Sequence, residues 1–98
     1  MKNALTHASV VRMSEGQVWQ DLNGEHVILN LRAGTYYGLD PVGSRVWNLI
    51  QQPIMVGEIK ETLVREYDVE PERCERDLMA LLGELTRAGL VELAAQPR

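Results

Sequence analysis

The side chains that could do chemistry are few. The chain has two histidines, His7 and His26, and one cysteine, Cys74. His26 sits in an apolar, alternating run and shares a face with Asp21 when that run is folded back as a hairpin. An Asp–His pair performs no nucleophilic chemistry without a positioned Ser or Cys, so His26 reads as an ordinary surface residue of a strand. Cys74 lies on the apolar stripe of a helix, and no Lys or His is placed by sequence to lower its pKa, which fits a buried structural thiol. A single cysteine allows neither an internal disulfide nor a cysteine-based zinc site. Phosphate loop, dinucleotide fingerprint and metal-ligand spacing are all missing. The inventory points to a protein that is not an enzyme and needs no metal or cofactor.

What remains is recognition. The stretch Gly34-Thr35-Tyr36-Tyr37-Gly38-Leu39 reads as the last strand of an antiparallel meander, with one neighbour and one free edge. Soluble proteins usually blunt such edges with Lys, Glu, Pro or a covering element. This one carries two aromatics and a glycine instead. An edge left open in this way is either an aggregation hazard or a docking site for another extended chain, and the second reading is the one favoured here. Tyr37 is expected in the sheet's packing and Tyr36 on the opposite face. Asp77, beside Cys74, Leu78 and Leu81 on the last helix, has two readings. It is either a solvated carboxylate paired with Arg73 at i,i+4, or a rim group that accepts a donor from a bound peptide.

These residues must be positioned by one small domain, since 98 residues leave no room for two cores. No apolar run approaches the ~18 residues that argue a membrane span, and residues 1–7 carry no apolar segment of signal-peptide length. A cytoplasmic protein with no membrane partner is expected. With 10 Lys+Arg against 14 Asp+Glu, the chain is mildly acidic, which disfavours a nucleic-acid partner.

Residues 1–15 lack periodicity and read as a flexible arm, in which residues 9–12 can pair as a short strand. The ordered domain then spans residues 16–93. Gln17–Leu22 and Glu25–Leu31 flank Asn23-Gly24, the strongest short hairpin signal. The two-residue turn sets Leu22 opposite Glu25, Gln20 opposite Val27 and Val18 opposite Leu29. The face bearing Val18, Val27, Leu29 and Leu31 is expected to be the core side. A three-residue turn at Arg32-Ala33-Gly34 would place Leu31 opposite Thr35 and Leu29 opposite Tyr37. A two-residue turn would shift this register by one.

Asp40-Pro41 announces the first helix, with Val42, Val46, Leu49 and Ile50 inward, Trp47 beside them and Pro53 as the stop. A second helix, roughly Val56 to Tyr67, has a poor cap in Met55. The third starts at Glu70-Pro71, turns Cys74, Leu78, Leu81, Leu82 and Leu85 inward, and stops at Gly89-Leu90 in a Schellman-type end. Residues 91–93 can form a scrap of strand, and residues 94–98 read as a tail. The expected class is α+β, a three-stranded antiparallel sheet followed by three helices.

The ordered series Glu25-His26-Val27-Ile28-Leu29-Asn30-Leu31, Gly34 to Leu39 and Val42-Gly43-Ser44-Arg45-Val46-Trp47 resembles the pyrroloquinoline quinone biosynthesis protein D (PqqD) family. Ile59, Leu63, Tyr67-Asp68-Val69, Asp77, Leu81-Leu82, Leu85 and Ala88-Gly89-Leu90 continue the likeness, which covers about residues 16–93. It is nearest to the stand-alone proteins of lasso peptide gene clusters. The resemblance implies a winged-helix-like fold without catalytic residues. It also implies capture of the leader segment of a ribosomally made precursor peptide, as a strand added to the sheet edge and seated in the groove to the last helix. The implied peptide-binding residues are Leu31, Thr35, Tyr36, Tyr37, Gly38 and Leu39 on the strand side and Cys74, Asp77, Leu78 and Leu81 on the helix side. The implied partners are the precursor peptide, a leader peptidase and a cyclase or other modifying enzyme. The free edge allows a monomer or a weak dimer.

Three other readings stay open at this level. A peptide chaperone for a radical enzyme, in quinone cofactor or other modified-peptide synthesis, would use the same chemistry, and the neighbouring genes would separate it. A winged-helix DNA-binding regulator needs a basic recognition helix, whereas the last helix mixes Glu72, Glu75, Asp77 and Glu84 with Arg73, Arg76 and Arg87. A small enzyme would need the reactive groups found lacking above.

Overall fold

The computed structural model describes residues 5–23 and 25–94. Its elements in chain order are β1 (Val10–Met13), β2 (Gln17–Leu22), β3 (Glu25–Asn30), β4 (Thr35–Gly38), α1 (Pro41–Leu49), β5 (Ile54–Met55), α2 (Val56–Glu66), α3 (Pro71–Arg87) and β6 (Val91–Leu93). The expected meander is β2-β3-β4, and three helices follow it as read from sequence.

A second small sheet, ordered β5-β1-β6, was not expected as a whole. It corrects the picture of a flexible arm over residues 1–15. Of these, 1–4 lie outside the described residues, but β1 is the middle strand of this sheet and Val11 is fully buried. The scrap of strand at 91–93 is its neighbour β6, tied across by Arg12 Nε donating to Glu92 Oε2 at 2.8 Å. Residues of this segment also supply what Met55 cannot. α2 has no side-chain cap, and its first N–H groups instead donate to the segment's carbonyls, Val56 to Ser9 at 2.9 Å and Gly57 to His7 at 3.0 Å. Residues 95–98 of the expected tail lie outside the described residues.

The β2–β3 register is the expected one, with Val18 opposite Leu29 and Leu22 opposite Glu25. Asn23 takes a positive φ of 58°, as the hairpin turn demands; Gly24 lies outside the described residues. The choice of core face is reversed. Ile28 and His26 are buried, whereas Val18, Leu29 and Leu31 are exposed. The physical reason is that His26 finds partners for its backbone, one ring nitrogen and its ring face, while Nδ1 makes no hydrogen bond and stands 3.8 Å from Asp21 Oδ1. The His26 backbone N–H donates to Ser44 Oγ (2.8 Å), its carbonyl accepts from Leu39 N–H (2.9 Å), and its ring Nε2 meets Asn48 Oδ1 at 3.1 Å. Trp19 stacks on the ring at 4.6 Å. A polar residue so partnered can be buried, and counting apolar side chains per face misses it. The expectation of a surface His26 falls with it.

β4 is also shifted by one. Asn30 pairs with Thr35, Leu29 with Tyr36 and Ile28 with Tyr37, so the connection runs over four residues, Leu31 to Gly34. The Asn30 side chain builds this turn, its Oδ1 accepting from Arg32 and Ala33 N–H at 3.0 and 3.2 Å. Gly34 closes it at φ 71°. The slip and the reversed face compensate. Tyr37 and Leu39 still point inward and Tyr36 outward, as expected.

Asp40 caps α1 through Oδ1, which accepts from Gly43 N–H at 2.7 Å. Val46, Trp47 and Ile50 are buried with Gly43 and Ser44, but Val42, expected inward, is exposed. The small residues turn the helix: a Cβ on Gly43 would stand 3.3 Å from Leu39 Cδ2. α3 ends in the expected Schellman geometry, with Leu90 N–H to the Leu85 carbonyl (2.9 Å), Gly89 N–H to Thr86 (3.0 Å) and Gly89 at φ 79°. The single core joins α1, α2 and α3 to Ile28, Leu39 and Val11.

Because adjacent residues of β3 face opposite sides, they make a direct test. Ile28→Ala should cost about 2–5 kcal/mol of unfolding free energy in urea titrations, and Leu29→Ala about 0.5 kcal/mol or less. Equal losses would show that the face assignment is wrong.

Candidate peptide-binding site

β4 pairs with β3 on one side and has no strand partner on the other among the described residues. The other strands, β1, β5 and β6, are paired with one another in the second sheet. The edge is therefore open, and its side chains divide as the pleat requires. Thr35, Tyr36 and Gly38 are exposed, Tyr36 at 78%, while Leu39 is buried.

Tyr37 links this strand to α3. Its phenol donates to Glu84 Oε1 at 2.6 Å. That bond, with desolvation and the Glu84 charge added, raises the Tyr37 pKa above the ordinary tyrosine value, against a smaller opposing effect of Arg87. The strand edge and the helix are thus held side by side by a charge-assisted bond.

Past the end of β4 a cavity of about 810 Å³ opens between the start of α1, the α2–α3 connection and α3. Its buried lining is apolar: Val46, Leu63, Cys74 and Leu78. Val42 and Val69 line it while remaining exposed. Burial pushes the Cys74 thiol up, with Lys60 opposing and Asp77 adding to the effect, so its thiolate is disfavoured, as a structural role requires. Asp77 also lines the cavity; Arg73 Nε stands 3.9 Å from its Oδ2, and both side chains are largely exposed.

Of the ten residues singled out from sequence, the structure brings Cys74, Asp77, Leu78 and Leu81 together around this cavity. Thr35–Leu39 form the adjoining edge and do not line it. Leu31 is exposed in the turn at the far end of β4 from Asp40, away from the cavity mouth. Sequence reasoning missed Val42 and Val69 as lining residues. Val69 carried a signal, the one aliphatic residue in a connection otherwise made of Tyr67, Asp68 and Glu70. Val42 carried none, because its position fits an inward stripe equally well. Among the described residues no group of His, Cys, Asp and Glu could hold a metal ion, and no helix is long and apolar enough to cross a membrane.

The family model for coenzyme PQQ synthesis protein D (PqqD) matches residues 25–91. This chain belongs to the PqqD family. The matched span begins at β3 and ends at the start of β6, so it takes in the open edge, the cavity and all three helices of the PqqD fold. The solved structure of TbiB1 in complex with the TbiA(beta) leader peptide is similar, with 38% sequence identity and a TM-score of 0.79, covering 87% of this chain and 99% of that one. A lasso peptide synthetase B1 complexed with its leader peptide has the same fold at 23% identity and TM-score 0.75, covering 84% of this chain and 96% of that one. So does the PqqD truncation of Methylobacterium extorquens PqqCD, a stand-alone recognition element for ribosomally synthesized and post-translationally modified peptides, at 24% identity and TM-score 0.75, covering 91% and 95%. No curated protein matches the chain by sequence.

The Tyr37–Glu84 bond has a pH signature. The folded pKa is raised, so its stabilisation is complete below the unfolded value of about 10 and is lost as pH rises through the folded value. Ultraviolet titration should show one tyrosine ionising later than the other two, and Glu84→Gln should bring it back toward them. Three tyrosines titrating together would contradict the bond.

Proposed function

We propose that this PqqD-family protein captures the leader segment of a ribosomally made precursor peptide by strand addition at β4, and presents it to a separate leader peptidase and maturation enzymes of lasso peptide synthesis. The protein itself contributes binding and orientation, not catalysis. The observation that carries the reading is the open β4 edge beside an apolar cavity, in a chain 38% identical to a protein solved with a leader peptide.

The energetics require both parts of this site. Each main-chain hydrogen bond at an exposed edge contributes about 0.5–1.5 kcal/mol net. Four of them fall short of the ~8 kcal/mol of micromolar binding once the ordering of an extended peptide is counted. Backbone pairing sets direction and register and is blind to sequence. Apolar side chains of the peptide entering the cavity supply the remaining affinity and the choice of partner. Tyr36 and Thr35 offer contacts to the incoming strand, and Leu81 and Leu78 to its anchors. The same peptide strand would extend the outer face on which Val18, Leu29 and Tyr36 stand in a row, so a processing enzyme could meet leader and carrier as one surface.

A fluorescently labelled leader segment of a candidate precursor peptide provides the test. Tyr36→Pro, which leaves the strand unable to donate at that position, and Leu81→Asp, which places a charge on the cavity wall, should each weaken binding tenfold or more. Unchanged affinity in both variants, with both folded by circular dichroism, would refute the reading.

A further inference from the structure

We propose that the cavity past the end of β4 selects a cationic segment: an extended peptide whose bulky apolar anchor is flanked by Lys or Arg. The inference rests on the peptide-docking reading and specifies the charge of its ligand. Four carboxylates, Asp40, Asp68, Glu70 and Asp77, line the cavity against one guanidinium, Arg73. Asp40 is engaged in capping α1. Asp77 and Arg73 stand 3.9 Å apart with both side chains more than 70% exposed, a loose pairing that neutralises little. Asp68 and Glu70 form no ion pair among the described residues, and the Glu70 side chain does not cap α3.

Such a lining is uneconomical for holding the fold together, because like charges around one opening repel. It is suited to discrimination. Strand pairing accepts any sequence, and an apolar cavity accepts any side chain of suitable size. Carboxylates at its rim add attraction for a cationic segment and repulsion for an anionic one, which separates partners that the other two devices cannot. Val42 and Val69, exposed beside these carboxylates, would cover the aliphatic stems of Lys or Arg side chains while their charged heads reach the rim.

A displayed library of random linear peptides, selected on the whole chain, tests this whatever the leader sequence is. Enriched sequences should carry an aromatic or branched aliphatic residue with Lys or Arg close by, and few Asp or Glu. Affinity for a representative enriched peptide should fall about tenfold as ionic strength rises from about 0.01 M to about 0.15 M, where the screening length drops from about 30 Å to about 8 Å. The triple variant D68N/E70Q/D77N should lose a similar factor at low salt and lose the salt dependence, with its thermal unfolding retained. Enrichment without a cationic preference, or full affinity in the triple variant, would overturn this inference and leave peptide docking standing. No enrichment at all, or enrichment indifferent to Tyr36→Pro, would overturn the docking reading and this inference with it.

Discussion

The structure depends on where the strand at Val10–Met13 pairs. A short strand with a buried valine gains from partners on both sides, and β5, β6 and the edges of the β2-β3-β4 meander could each offer one. It joins β5 and β6, and the same segment satisfies the uncapped N–H groups of α2 through the carbonyls of His7 and Ser9. Once its hydrogen bonds are satisfied there, nothing among the described residues is left to seal β4. The open edge is thus a consequence of how the rest of the backbone is paired. An edge of this kind is ordinarily an aggregation hazard. Here it is short, four residues, and it borders a cavity whose buried lining is apolar.

The same economy places the site. α1 begins immediately after β4, capped by Asp40 and turned so that Gly43 and Ser44 lie against Leu39 and the backbone of His26. That close approach leaves Val42 facing the cavity. Tyr37, through Glu84, fixes the other side against α3, and the bidentate Arg45–Glu66 pair ties α1 to the end of α2. Edge, cavity and helix therefore form a single preorganised surface. Preorganisation lowers the ordering cost of binding on the protein's side.

Much of this was legible in the sequence, and the reasons for the failures are physical. Turn and cap chemistry is local, so Asn23-Gly24, Asp40-Pro41, Glu70-Pro71 and Gly89-Leu90 marked the boundaries correctly, and the β2–β3 register followed from the turn. Which face of that hairpin is buried is a tertiary fact. It is decided by Ser44 and Asn48, some twenty residues away, which give His26 its partners. No count of apolar residues on β3 could contain that information. The β4 slip came from Asn30, whose side chain organises a longer turn than the Gly34 signal implied. The second sheet was half visible, because residues 9–12 and 91–93 could be read as short strands, but the two-residue β5 could not, and nothing local says that the three pair. Around the cavity, the α3 residues Cys74, Asp77, Leu78 and Leu81 come together because helical spacing groups them. The far wall is assembled from α1 and the α2–α3 connection and has no pattern of its own.

The central claim is that a foreign strand completes the β2-β3-β4 sheet. The most direct measurement is amide hydrogen exchange, residue by residue, of the protein with and without its cognate leader. In an added antiparallel or parallel strand, alternate N–H groups of the edge point toward the newcomer. The account predicts that alternate amides over residues 35–39 exchange rapidly in the free protein and become strongly protected with leader bound, while β1 and β6 are unchanged. Saturating leader that leaves those amides unprotected, or protection in the free protein equal to that in the complex, would contradict it.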